Sequence, residues 1–97
     1  MAREMIDAKN VLHPGKTYRM EADRFRKACA GLLSVLPSTA PGMTQSEMLA
    51  SLRTAVSDAD FPGSTHGWWG KAAQLHLEAE GQIIRESGKP VRWRLAE

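Results

Sequence analysis

A chain of 97 residues, 42% hydrophobic and 25% charged with a net charge of +2, has room for one domain and one modest core, burying about 60–65% of the surface its unfolded form exposes. That composition excludes disorder and fibrous repeats, and the small charge excludes an affinity for nucleic acid driven by net charge alone. No apolar run approaches the ~20 residues that cross a bilayer, and the start "MAREMIDAKN" has no apolar block of a secretion signal, so a cytoplasmic chain with no membrane partner is expected.

Residues 1 to 18 read as an extended arm. Its segment "NVLHPGK" is turn chemistry, with proline fixing one backbone angle and glycine accepting positive φ, and "TYRM" has the makings of a short strand. From Ala22 to Leu36, the residues Phe25, Cys29, Leu32, Leu33 and Leu36 recur on one helical stripe. Gly31 weakens that helix by about 1 kcal/mol relative to alanine, and Pro37 ends it by disfavouring helical geometry at Leu36. The lone Cys29 allows neither an internal disulfide nor a thiolate cluster and is expected to behave as a small buried hydrophobe. "PSTAPGM" is a loop. "TQSE" then matches a capping box, Thr44 with Glu47, and opens a second helix over 44–56 whose apolar face is Met48, Leu49, Leu52, Ala55 and Val56.

The third helix, 67–80, begins with a tryptophan pair. Trp69 is in phase with Ala73 and Leu77 and is expected to anchor the core; Trp68 is turned by about 100° and needs a second cover, which the arm from Val11 to Tyr18 would supply. The pair therefore reads as core anchors, with partner binding as the competing use. Small Gly67 and Gly70 beside them would let another backbone approach, and Gly81 supplies the left-handed stop. A hairpin over 83–95 follows, in which Val91, Trp93 and Leu95 alternate with outward Arg92 and Arg94.

The end of the third helix, "LEAEGQI", followed by "IRESGKPVRWRL", resembles the recognition helix and wing of winged-helix proteins, with Leu77, Gly81 and Ile83 at the junction. Together with "VLHPGKTYRMEADRF", "LLSVLP", "APGMTQSE", "DFPG" and "GWWGKAAQLHLEAEGQIIR", nearly the whole chain is similar to a small bacterial family of unknown function. The fold this implies is α+β, a winged helix-turn-helix of three helices plus a C-terminal β-hairpin, completed by the N-terminal arm. The family brings no activity or catalytic residues to carry over.

Fold does not choose a function. If the third helix enters a major groove, Thr65, His66, Gly70, Lys71 and Gln74 would face base edges, although Glu78 on the same side repels phosphate. Arg85, Lys89, Arg92 and Arg94 on the wing could grip phosphates, with Lys71 joining them or pairing with Glu78 or Asp60. Basic residues are unevenly placed, with seven against four acids in residues 1–36, only Arg53 against three acids in the middle, and five against four in 66–97. His13, His66 and His76 have no metal-ligand spacing, and no nucleophile stands beside a base, so neither a metal, a cofactor, a small-molecule substrate nor an enzyme is expected. Two uses remain open, DNA binding through the wing and a protein-interaction or self-associating module.

Overall fold

The computed structural model describes residues 4–63 and 65–96. The expectations for Met1 to Arg3, Ser64 and Glu97 lie outside the described residues. The arm is not a simple extension. It is an antiparallel hairpin of β1 (Met5–Lys9) and β2 (Thr17–Glu21), paired from Met5 with Glu21 through Lys9 with Thr17. The "NVLHPGK" turn works as read: His13 N donates to the Asn10 carbonyl, Lys16 N to the His13 carbonyl, and Leu12 N to the Asn10 side chain. Strand alternation puts Ala8 and Met20 on the inner face, where both are buried. A bidentate pair of Arg26 with Glu4, at 2.8 and 3.0 Å, ties the hairpin root to the following helix.

α1 (Ala22–Val35) follows β2 without a loop. Its buried stripe is Phe25, Ala28 and Leu32, with Cys29 and Leu33 half-buried at the flank. The apolar spacing found the correct side of the helix but not its centre line. Leu36 leaves the helix with ψ 138°, the extended geometry that a following proline requires. Burial pushes the Cys29 thiol up to about 11, which holds it as an inert thiol at neutral pH.

β3 (Met43–Thr44) is a two-residue strand inside the segment expected to be loop. It pairs with the last strand, Met43 opposite Trp93 and Thr44 opposite Arg92. Gly42 permits this approach: its φ is +92°, and a Cβ there would stand 2.1 Å from the Trp93 carbonyl oxygen. α2 (Gln45–Ala55) starts at the complete Thr44–Glu47 capping box, in which Glu47 N donates to Thr44 Oγ1 at 3.2 Å and Thr44 N to Glu47 Oε1 at 2.9 Å. Those hydrogen bonds hold the Glu47 carboxyl below its ordinary range.

α3 (Thr65–Ala79) crosses both earlier helices. Gly31 on α1 and Gly70 on α3 both lie against Leu52, where a Cβ would come within 2.6 and 2.7 Å of its methyls. Here the absent side chains admit leucine methyls, not another backbone. Beyond α3, Gln82 N reaches the Leu77 carbonyl and Gly81 N the Glu78 carbonyl, with Gly81 at φ +75°, the paired bonds of a left-handed helix stop. β4 (Ile83–Glu86) and β5 (Arg92–Leu95) then form the expected hairpin, and the three-stranded sheet has the order β3-β5-β4. The molecule is thus α+β, three helices and two small antiparallel sheets around one core that includes Phe25, Leu32, Met48, Leu52, Leu77 and Trp93. Phe61, in the segment between α2 and α3, is 2% exposed and belongs to that core. Among the described residues no helix is long and apolar enough to cross a membrane.

Candidate functional site

α3 is the meeting point of both hairpins, and its sides differ. Gly70, Ala73 and Leu77 face the helical core. Gln74, expected to read a base edge, is 2% exposed and accepts a 3.3 Å hydrogen bond from the Gln45 side chain, so it belongs to the interior. Gly70 is likewise buried, His66 is half-buried, and Thr65 is exposed with its hydroxyl on the Pro62 carbonyl.

Towards the C-terminal hairpin, α3 presents Glu78. Its carboxylate, on a side chain only 4% exposed, accepts from Arg85 Nε and Nη2 at 3.0 and 3.1 Å and from the Trp93 indole N–H. The Arg85 guanidinium lies over the Trp93 ring, 5.3 Å from its centroid. Glu78, read from sequence as a phosphate repellent, is the acid that holds the hairpin to the helix. The other wing arginines are engaged as well: Arg92 with Glu47 at 3.3 Å and the Gly42 carbonyl at 3.2 Å, and Arg94 with Glu86 at 3.4 Å. Arg92 and Arg94 are both half-buried, so they do not stand out into solvent as strand alternation predicted, and Val91 is exposed where burial was expected. Lys89, in the turn between the strands, is exposed and makes no ion pair among the described residues.

Towards the N-terminal hairpin, α3 is held at one end only. Lys9 N donates to His76 Nδ1 at 2.9 Å, and the Lys9 ammonium pairs with Glu80, holding that carboxyl below its ordinary range. The His76 ring stands edge-on to Phe25 at 5.0 Å, and burial keeps its pKa below the ordinary histidine value. Around the N-terminal half of the helix the hairpin stands away, leaving a cleft of roughly 700 Å³. Ala8, Met20, Ala72 and Leu75 line it, with Tyr18 and Trp68 also contributing, and Arg19 and Lys71 complete it. Trp68 is 63% exposed and Tyr18 48%. The arm therefore does not cover Trp68, because its contacts fall on His76 and Glu80, about two and about three turns further along. Trp69 is half-buried, edge-on to Phe61 at 6.1 Å and to Trp68 at 5.2 Å, and packs against the core as the helical phase predicted. Lys71 pairs with neither Glu78 nor Asp60, which are taken by Arg85 and Lys27. Tyr18, Arg19 and Leu75 were not singled out from sequence; the one signal was the β-prone "TYRM", which places Tyr18 and Met20 on a common face.

The family of unknown function DUF6958 matches residues 5–93, which takes in the N-terminal hairpin, the cleft and the C-terminal hairpin as far as Trp93. The chain belongs to this family. No curated protein and no solved structure matches it. Among the described residues no three His, Cys, Asp or Glu side chains are grouped to hold a metal ion.

Proposed function

We propose that this DUF6958 protein is a winged-helix interaction module that docks a protein partner through the cleft between its N-terminal hairpin and α3. The winged-helix reading is supported by the order α1, β3, α2, α3, β4, β5 together with the strand order β3-β5-β4, in which the short strand between the first two helices pairs with the far strand of the wing. The observation that carries the docking reading is Trp68, 63% exposed beside an apolar cleft on the helix that would otherwise enter a groove of DNA. A large apolar side chain held open to water costs solvation and is a common anchor for a partner. The reading needs no catalytic group and no cofactor.

DNA binding through the wing is less well supported, since Arg85, Arg92 and Arg94 already have carboxylate partners and phosphate would have to displace them. The experiment is capture from the native cytoplasm with and without nuclease, using wild type and Trp68→Ala. A partner retained after nuclease and lost with Trp68→Ala is the expected result. Capture that disappears with nuclease, with duplex affinity falling on a log-log salt slope of about −0.9 per phosphate contact and weakened by Arg92→Ala with Arg94→Ala, replaces docking with the DNA reading.

A further inference from the structure

Among the described residues some cations are held in ion pairs and others, Lys16 and Lys89 among them, are not; of the three that line the cleft, Lys9 is paired with Glu80. Lys9, Arg24, Arg26, Lys27, Arg85, Arg92 and Arg94 each lie within 4.0 Å of a carboxylate. Arg19 and Lys71, both exposed, line the cleft and make no ion pair among the described residues. Among the described residues no aspartate or glutamate lines the cleft. An apolar floor, the exposed rings of Tyr18 and Trp68, and Lys71 thus border one opening between a strand and a helix, with Arg19 on the strand edge between Tyr18 and Met20.

We infer that the partner docked by this cleft is an acidic protein segment that places a large apolar side chain between Tyr18 and Trp68 and its carboxylates on Arg19 and Lys71. The inference rests on the docking reading and adds the chemistry of the occupant. The apolar side chain takes the indole face of Trp68, the Tyr18 ring and what Ala72 still exposes out of water, and acidic neighbours pair with cations that have no ion pair among the described residues. The opening has a volume of the order that holds organic groups, about 300–1,000 Å³. A nucleic-acid strand fits less well, because a phosphate backbone asks for a continuous track of cations. Next to Arg19 and Lys71 stand Glu80, on Lys9, and Asp7, opposite Arg19 in the hairpin.

The test is selection of displayed random linear peptides on the intact protein, with Trp68→Ala and the double variant Arg19→Glu, Lys71→Glu as parallel targets. All three positions are exposed, and circular dichroism confirms that each variant is folded. Wild type is expected to enrich peptides with aspartate or glutamate flanking an aromatic or large aliphatic residue. Their affinity should fall roughly thirtyfold or more with Trp68→Ala, and at least about tenfold with the double variant, which should itself enrich basic peptides. Enrichment that depends on Trp68 but shows no acidic excess overturns the inference and leaves the docking reading in place. No Trp68-dependent enrichment overturns the docking reading with it. Displacement of the selected peptides by a single-stranded oligonucleotide at comparable concentration overturns the inference in favour of nucleic acid.

Discussion

The two hairpins of this chain lie against the same helix and treat it in opposite ways. The C-terminal one buries its tryptophan, with Trp93 6% exposed, satisfies the indole N–H on Glu78 and closes its arginines onto carboxylates. The N-terminal one is fastened at His76 and Glu80, then leaves Trp68 and Tyr18 in solvent and two cations without partners. A surface whose rings and charged groups are mostly paired internally gains less from a further contact. One that leaves them open gains from every group a partner supplies. That contrast is what favours the proposed docking at the cleft over contacts through the C-terminal hairpin.

The contrast is broken most directly by removing one tryptophan from each side. Trp93→Ala is expected to cost about 3–5 kcal/mol, the range for deleting a buried large aromatic, measured by denaturant unfolding. A cost below about 1 kcal/mol would mean that the wing is not part of the core. Next in size is Glu78→Ala, which strips the acceptor from the Trp93 N–H and from Arg85. A loss of about 1–3 kcal/mol is expected, the larger share from the indole donor because Arg85 can turn to water.

On the hairpin side the sharper probe is pH. Burial lowers the His76 pKa from its ordinary 6.5, and of the groups facing it Glu80 raises that value while Lys9 lowers it. The unfolded chain therefore takes up this proton at higher pH than the folded one, and the stability His76 contributes is present above about 6.5 and lost as pH falls through the folded value. Protonating Nδ1 also removes the acceptor of the Lys9 amide. Exchange of that amide, corrected for its intrinsic pH dependence, should quicken below pH 6.5 in wild type and lose this pH dependence in His76→Gln. The smallest expected effect is Trp68→Ala, within about 0.5 kcal/mol of wild type in the same denaturant experiment, since a ring so exposed contributes little to folding. A loss comparable with that of Trp93→Ala would mean that the hairpin closes over Trp68 in solution.

Much of the frame was legible from residues that act locally. Thr44 with Glu47, Gly81 after the third helix, and Pro37 after the first all impose their effect within a few positions, and the structure has each element end where they require. β3 was not legible because Met43 and Thr44 carry no pattern of their own; they become a strand only when Trp93 and Arg92 arrive beside them. The first hairpin was half visible, since only Ile6 and Ala8 of β1 point inward and the pairing is completed by β2. For the site, helical phase separated Trp68 from Trp69 but could not say what lies over a face. The covering strand is set by Lys9 and His76, 67 positions apart. Of the C-terminal hairpin's ion pairs only Arg92 with Glu47, 45 positions apart, was hidden by distance; Arg85 with Glu78, 7 apart, was hidden because it crosses from helix to strand, and together with Arg94 on Glu86 these pairs turn the four candidate phosphate contacts into three braces and Lys89, which makes no ion pair among the described residues.

That separation between Lys9 and His76 also has a temporal side. On a ribosome adding roughly 5–20 residues each second, about 3–13 s pass between the synthesis of β1 and the arrival of the helix position that fastens it. Through that interval the hairpin can pair with itself, but Ala8 and Met20 have no α3 to rest on. The cleft therefore exists only once α3 has been made, before β5 arrives to pair with β3, and a chain interrupted anywhere before α3 carries one wall of the proposed docking cleft with nothing opposite it.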